Sequence, residues 1–120
     1  MKIAVVGSRE FKDEEFVGKI VSSELNGYDT LVSGGCRGVD TWAENVIPIL
    51  NSGLANYRIK KIIFKPDWNK YGKRAGFLRN QLIIDEADKV IAFWDGKSKG
   101  TKHSIDLAIK ANKPLDIYVR

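Results

Sequence analysis

Apolar runs and helical repeats alternate along the whole chain. KIAVVG (2–7) is a continuous β-branched run closed by a glycine, the pattern of a strand buried on both faces. Over 13–26, Phe16, Val17, Ile20, Val21 and Leu25 recur at helical spacing behind acidic Asp13, Glu14 and Glu15, which suit a helix N-terminus. TLVSGG (30–35) reads as a second short strand. From Val39, the positions Val39, Trp42, Ala43, Val46, Ile47 and Leu50 fall at i, i+3, i+4, i+7, i+8 and i+11, the clearest amphipathic helix of the chain. Pro48 inside it predicts a kink or an early end. NSGLANYR then reads as a loop, KKIIFK (60–65) as a third strand and PDWNKYGK as a long loop. The pattern predicts a helix over 74–87 through Leu78, Leu82 and Ile83, and a fourth buried strand in KVIAFW (89–94). A helix over 101–112 through Ile105, Ala108 and Ile109 follows, then an alternating edge strand in PLDIYV (114–119).

This β-α-β-α-β-α-β-α-β order implies an α/β fold with an open parallel sheet covered by helices on both sides. Right-handed crossovers leave few topologies, and a doubly wound five-stranded sheet in the order 3-2-1-4-5 is the leading one. With 120 residues and no repeat, low-complexity tract or linker, residues 1–120 read as a single domain.

Composition narrows the class. Hydrophobic content of 43% and charged content of 29% are ordinary for a globular protein. The apolar run in MKIAVVGSREF is too short for a signal sequence or a membrane span, and no later stretch is long enough. The single cysteine excludes an internal disulfide and a cysteine-based zinc site, so a cytoplasmic location is expected and no metal is. The net charge of +5 points to an anionic partner, and its placement sharpens that reading. In the predicted topology, the strand-to-helix segments 7–13, 33–40, 65–74 and 95–102 carry ten Lys/Arg against five Asp/Glu. The segments on the opposite edge, 26–30, 51–61, 85–89 and 111–114, carry five against four. The positive excess therefore gathers at the carboxyl edge, where α/β sheets bind ligands.

Three glycine-bearing loops share that edge. In VGSREF, Gly7 lets the backbone turn, Ser8 offers a hydroxyl and Arg9 a fork for phosphate or carboxylate; the alternative is a strand end with a solvated arginine. In SGGCRGVD, Gly34, Gly35 and Gly38 expose backbone N–H groups at a helix start, with Arg37 as the phosphate partner. The spacing is neither GxGxxG nor a Walker motif. Asp40 suits bracing of its own loop, or acceptance from a ligand hydroxyl. Cys36 beside Arg37 invites a nucleophile reading, but the one histidine, His103, lies in another predicted helix, expected exposed, so a small packing residue is preferred. DGKSKGT offers Ser98 and Thr101 as caps and hydroxyl donors, or is a lysine-rich turn. In DWNKYGKRAGFLRN, Trp68 and Tyr71 interleave with Lys73, Arg74, Arg79 and Asn80, a pattern that can stack a base and hold its phosphates, although Trp68 suits core packing equally. Trp94 reads as core.

Together, GSREF, SGGCRGVD, DWNKYGKRAGFLRN and FWDGKSKGT resemble the YspA-like (cpYpsA-related) branch of the SLOG superfamily. That Rossmann-like fold is shared by Smf DNA-processing proteins and LOG phosphoribohydrolases. The four blocks span Gly7 to about Pro114 in order. The resemblance implies a prokaryotic or phage Rossmann-like domain that binds a nucleotide or nucleotide derivative, as sensor or enzyme. By position it marks Gly7, Ser8, Arg9, Gly34, Gly35, Arg37, Gly38, Asp40, Gly76, Arg79, Asn80, Ser98, Gly100 and Thr101. LOG enzymes carry PGGxGTxxE, whose glutamate serves glycosidic cleavage; here Ser104 stands at that place. The segment PILNSGLANYRIK is also longer than the usual connection, on the edge away from the ligand.

The expected function is therefore binding of a phosphorylated nucleotide at the carboxyl edge, with no separate cofactor. A nucleotide N-glycosidic hydrolase or transferase is the alternative, with Asp40 and Asp95 the best-placed carboxylates. Single-stranded nucleic-acid binding through the basic edge, Trp68 and Tyr71 is a further one. A small basic unit of this kind is compatible with a homo-oligomer.

Overall fold

A computed structural model describes residues 1–120. Five parallel strands, β1 (Lys2–Gly7), β2 (Thr30–Ser33), β3 (Lys60–Ile63), β4 (Lys89–Trp94) and β5 (Leu115–Val119), form one sheet in the order β3-β2-β1-β4-β5, as the alternation predicts. The helices are α1 (Glu14–Glu24), α2 (Val39–Asn51), α3 (Trp68–Tyr71), α4 (Ala75–Glu86) and α5 (Lys99–Lys110), with a 3-10 turn at Gly72–Arg74 between α3 and α4. No helix is long and apolar enough to cross a membrane.

The strands are continuously apolar because each feeds two cores. Along β1, Ile3 and Val5 join the layer formed with α1 and α2, while Ala4 and Val6 join the layer formed with α4 and α5. The next central strand, β4, divides the same way, Ile91 and Phe93 against Val90 and Ala92. Each such fully buried Val, Ile or Phe contributes about 1.5–3 kcal/mol.

Four local expectations are corrected. Pro48 does not end α2, which continues to Asn51; Val46 and Ile47 of the preceding turn are buried, and the Ser52 N–H closes on the Pro48 carbonyl at 3.1 Å. PDWNKYGK is not a plain loop, because the Asp67 carboxylate accepts from Lys70 N–H at 3.1 Å and caps the short α3. In α4 the buried arc is centred on Asn80, Ile83 and Ile84; Leu78 and Leu82 fall on the opposite arc at 3.6 residues per turn, 41% and 52% exposed. In α5, Ile105 and Ala108 are buried, while Ile109 lies on the flank, 62% exposed.

Candidate functional site

The loop after β1 is held from within by Phe11. This ring is buried and meets Phe93 edge-on at 5.5 Å, while Phe11 N–H closes a turn on the Ser8 carbonyl at 3.2 Å. Ser8 is itself buried. Its hydroxyl lies 3.1 Å from the Thr101 hydroxyl and accepts from the Asp95 N–H at 3.1 Å, tying the first loop to the last. Arg9 and Glu10, between these two anchors, are left projecting.

The loop after β2 is braced by Asp40, in the first turn of α2. Asp40 is 6% exposed, and its Oδ2 accepts from Cys36 N–H at 3.2 Å. Burial raises its pKa to about 6, against the pull of the Cys36 N–H, the Arg79 charge and the Gly34 N–H, and with a push from Glu44. Ser33 donates to Glu44 at 2.8 Å, and Thr41 donates to the Cys36 carbonyl at 2.8 Å. Gly35 and Gly38 hold φ of 70° and 80°, left-handed values that favour glycine. The space left by absent Cβ atoms is occupied: Val39 packs against Gly7, the Arg79 guanidinium against Gly34, and the Arg9 backbone against Gly38.

Arg79 and Asn80 tie α4 to the loops. Arg79 donates to the Gly34 carbonyl at 2.7 Å, to the Phe64 carbonyl at 3.5 Å, to Cys36 Sγ at 3.5 Å and to Asn80 Oδ1 at 3.0 Å. The Asn80 amide donates to the Gly100 carbonyl at 3.4 Å and lies 3.3 Å from His103 Nδ1. His103 is half-buried rather than exposed, its ring centroid 4.5 Å from that of Phe77, and burial lowers its pKa below the usual imidazole value.

At the last loop, Asp95 Oδ1 accepts from the N–H groups of Lys97 (2.9 Å) and Ser98 (2.8 Å). These bonds hold its pKa below the usual carboxylate value. Ser98 caps α5, and the half-buried Trp94 donates its indole N–H to the Ser98 carbonyl at 3.0 Å. Trp68, expected equally in the core or at a site, is 53% exposed and lies 3.4 Å from where a Cβ on Gly76 would stand.

These loops, α4 and α5 enclose a cleft of about 550 Å³ at the carboxyl edge, within the range of about 300–1,000 Å³ that holds small ligands. Of the residues anticipated from sequence, Gly7, Arg9, Arg37, Asp40, Trp68, Gly76, Arg79, Asn80, Asp95, Ser98, Gly100 and Thr101 line it. Ser8, Gly34, Gly35 and Gly38 do not; they build the loops behind the wall. Lys73, anticipated beside Trp68, lines it as well, whereas Tyr71 and Arg74 do not; Glu10, Phe77, Ile83, Lys97 and Ser104 join the wall. Phe77 gave no signal beyond its place near Arg79, whereas Ser104 was visible only as the substitute for a glutamate. Five cations (Arg9, Arg37, Lys73, Arg79 and Lys97) face three carboxylates (Glu10, Asp40 and Asp95). Arg37 pairs with Glu10 at 3.0 Å, but both side chains are largely exposed, so the pair is weak and leaves the guanidinium available.

No protein-family model matches the chain. It is 31% identical over 118 residues to the Gene 61 protein of Mycobacterium phage D29, covering 95% of this chain and 93% of that protein. Among solved structures, it resembles DNA processing protein A from Helicobacter pylori, a protein described for its single-stranded DNA binding mode, with a TM-score of 0.69 and 25% identity. The likeness covers 98% of this chain but 64% of that one.

Proposed function

Since the chain belongs to the family of the Gene 61 protein of Mycobacterium phage D29 and is a Rossmann-like relative of DNA processing protein A, we propose that it binds single-stranded DNA, with one nucleotide unit seated in the carboxyl-edge cleft. The observation that carries this reading is the pairing of a half-exposed Trp68 with five cationic side chains around one cleft. An aromatic face stacks any base, and cations track the phosphates. Sequence alone favours a free nucleotide; the likeness to a single-stranded DNA binder supports the longer ligand. The fit of a 550 Å³ cleft to one small molecule keeps the free nucleotide as the second reading. Binding without chemistry is supported by Ser104 at the glutamate's place. We place the chain in the YspA-like branch on its loop blocks, acting in the cytoplasm.

Fluorescence anisotropy with a labelled oligonucleotide of about ten nucleotides tests the reading. Affinity is expected to fall with salt at a log–log slope of about −2, the value for roughly three neutralised phosphates on a single strand. Arg9→Ala with Lys97→Ala weakens binding and flattens the slope. Absence of oligonucleotide binding, or binding indifferent to salt, overturns the proposal. If mononucleotides compete as tightly as the oligonucleotide, the second reading replaces it.

A further inference from the structure

Two polar side chains lining the cleft, both more than nine-tenths buried, keep hydrogen-bonding capacity that the chain does not use. Asp40 uses Oδ2 to brace the loop after β2, accepting from the Cys36 N–H beside the Gly34 N–H, and Oδ1 is left without a side-chain partner. Ser104, on α5 and 2% exposed, likewise has a hydroxyl with no partner. Every fully enclosed side-chain nitrogen or oxygen of the protein has a partner. The small open area of these two groups therefore lies on the cleft that both residues line. A desolvated acceptor and a free hydroxyl left open to a cavity are complementary to a ligand's hydrogen-bonding edge.

Charge orients that ligand. A phosphate is repelled by the Asp40 carboxylate and drawn instead to Arg9, Arg37 and Lys97, so the group that meets Asp40 and Ser104 is the base. Resting on the single-stranded DNA reading, we propose that Asp40 and Ser104 read the base in the cleft and select guanine. The carboxylate only accepts, and guanine offers it two adjacent donors, N1–H and the N2 amino group. Adenine and cytosine offer a single amino group beside a ring-nitrogen acceptor. Thymine offers one N–H flanked by two carbonyl oxygens, both repelled by the carboxylate. The Ser104 hydroxyl is free to donate to the guanine O6. Trp68 stacks on any base and so adds affinity without selectivity.

The test uses labelled oligothymidylates of about ten nucleotides in which one central position is dT, dG, dA or dC, measured by anisotropy at pH 7.5. The wild-type protein is expected to bind the dG strand about tenfold tighter than the all-dT strand, the low end of what a base-edge contact supplies, because Oδ1 alone meets both guanine donors. Asp40→Asn, which keeps an acceptor for Cys36 N–H but adds a donor, collapses this preference. Ser104→Ala, which removes a hydroxyl the fold does not use, reduces it severalfold with unchanged melting. Equal binding of all four strands overturns base reading while leaving single-stranded binding intact. So does a preference that survives Asp40→Asn, or one that follows ribose against deoxyribose rather than the base. If none of the strands binds, the underlying function falls with it.

Discussion

Asp40 couples folding to pH in a direction opposite to most carboxylates. Its pKa is raised to about 6 by burial, so the folded protein holds this proton more tightly than the unfolded chain, where an aspartate titrates near 3.8. The sign follows from linkage: stability from this group is greatest below about pH 4 and declines as pH rises to about 6 and beyond. A rise from 3.8 to about 6 amounts to about 2–3 kcal/mol between pH 4 and 7.5. The Asp40→Asn variant retains an acceptor for the Cys36 N–H and has no such titration. Urea unfolding of both proteins across this range isolates the group, because all other titrations cancel in the difference. The stability of Asp40→Asn minus that of wild type should grow by about 2–3 kcal/mol from pH 4 to 7.5, roughly 10 °C in melting temperature. Arg79 and Cys36 N–H favour the charged form and Glu44 opposes it, so Glu44→Gln should lower the titration midpoint. Parallel pH profiles for wild type and Asp40→Asn would show that the carboxylate is solvated rather than sealed against the loop, and the reasoning would fail.

A Cβ on Gly7 would stand 2.5 Å from the buried Cβ of Val39. Gly7→Ala should therefore cost about 1–3 kcal/mol, and Val39→Ala, which removes the two Cγ methyls but keeps the Cβ, should relieve only part of that cost in a double-mutant cycle by chemical denaturation. Arg79→Lys keeps the charge but cannot bridge Gly34, Phe64 and Asn80 together. It should lose about 2 kcal/mol and expose the 34–38 loop to limited proteolysis. Glu10→Gln removes the partner of Arg37 and should tighten oligonucleotide binding about two- to threefold at low salt, an effect that high salt erases.

The sheet was legible because β1 and β4 are buried on both faces, and a continuous β-branched run has no other easy home in a chain this size. Helix faces were less legible. In α4 the polar Asn80 faces inward to meet Gly100 and His103, while Leu78 and Leu82 face out, so apolarity placed Ile83 correctly but joined to it two leucines of the opposite arc. At Pro48 the early end was expected from the local penalty, yet the apolar stripe through Val46, Ile47 and Leu50, visible in the same pattern, carries α2 on to Asn51.

The glycine loops show where local reading reaches its limit. Their residue types announce close approach, yet what approaches is set by segments far away in sequence: Arg79 fills the space beside Gly34, and the Arg9 backbone the space beside Gly38. Ser8 illustrates the same dependence, since its hydroxyl is held by Asp95 and Thr101 some 90 residues on. A cleft built this way has two classes of residue that sequence cannot separate. Those with every polar atom engaged, such as Asn80 and Ser8, hold the loops in place. Those with an atom still free, Asp40 and Ser104, face whatever enters. The cations attract any phosphate, so the proposed choice among bases rests on these two buried groups.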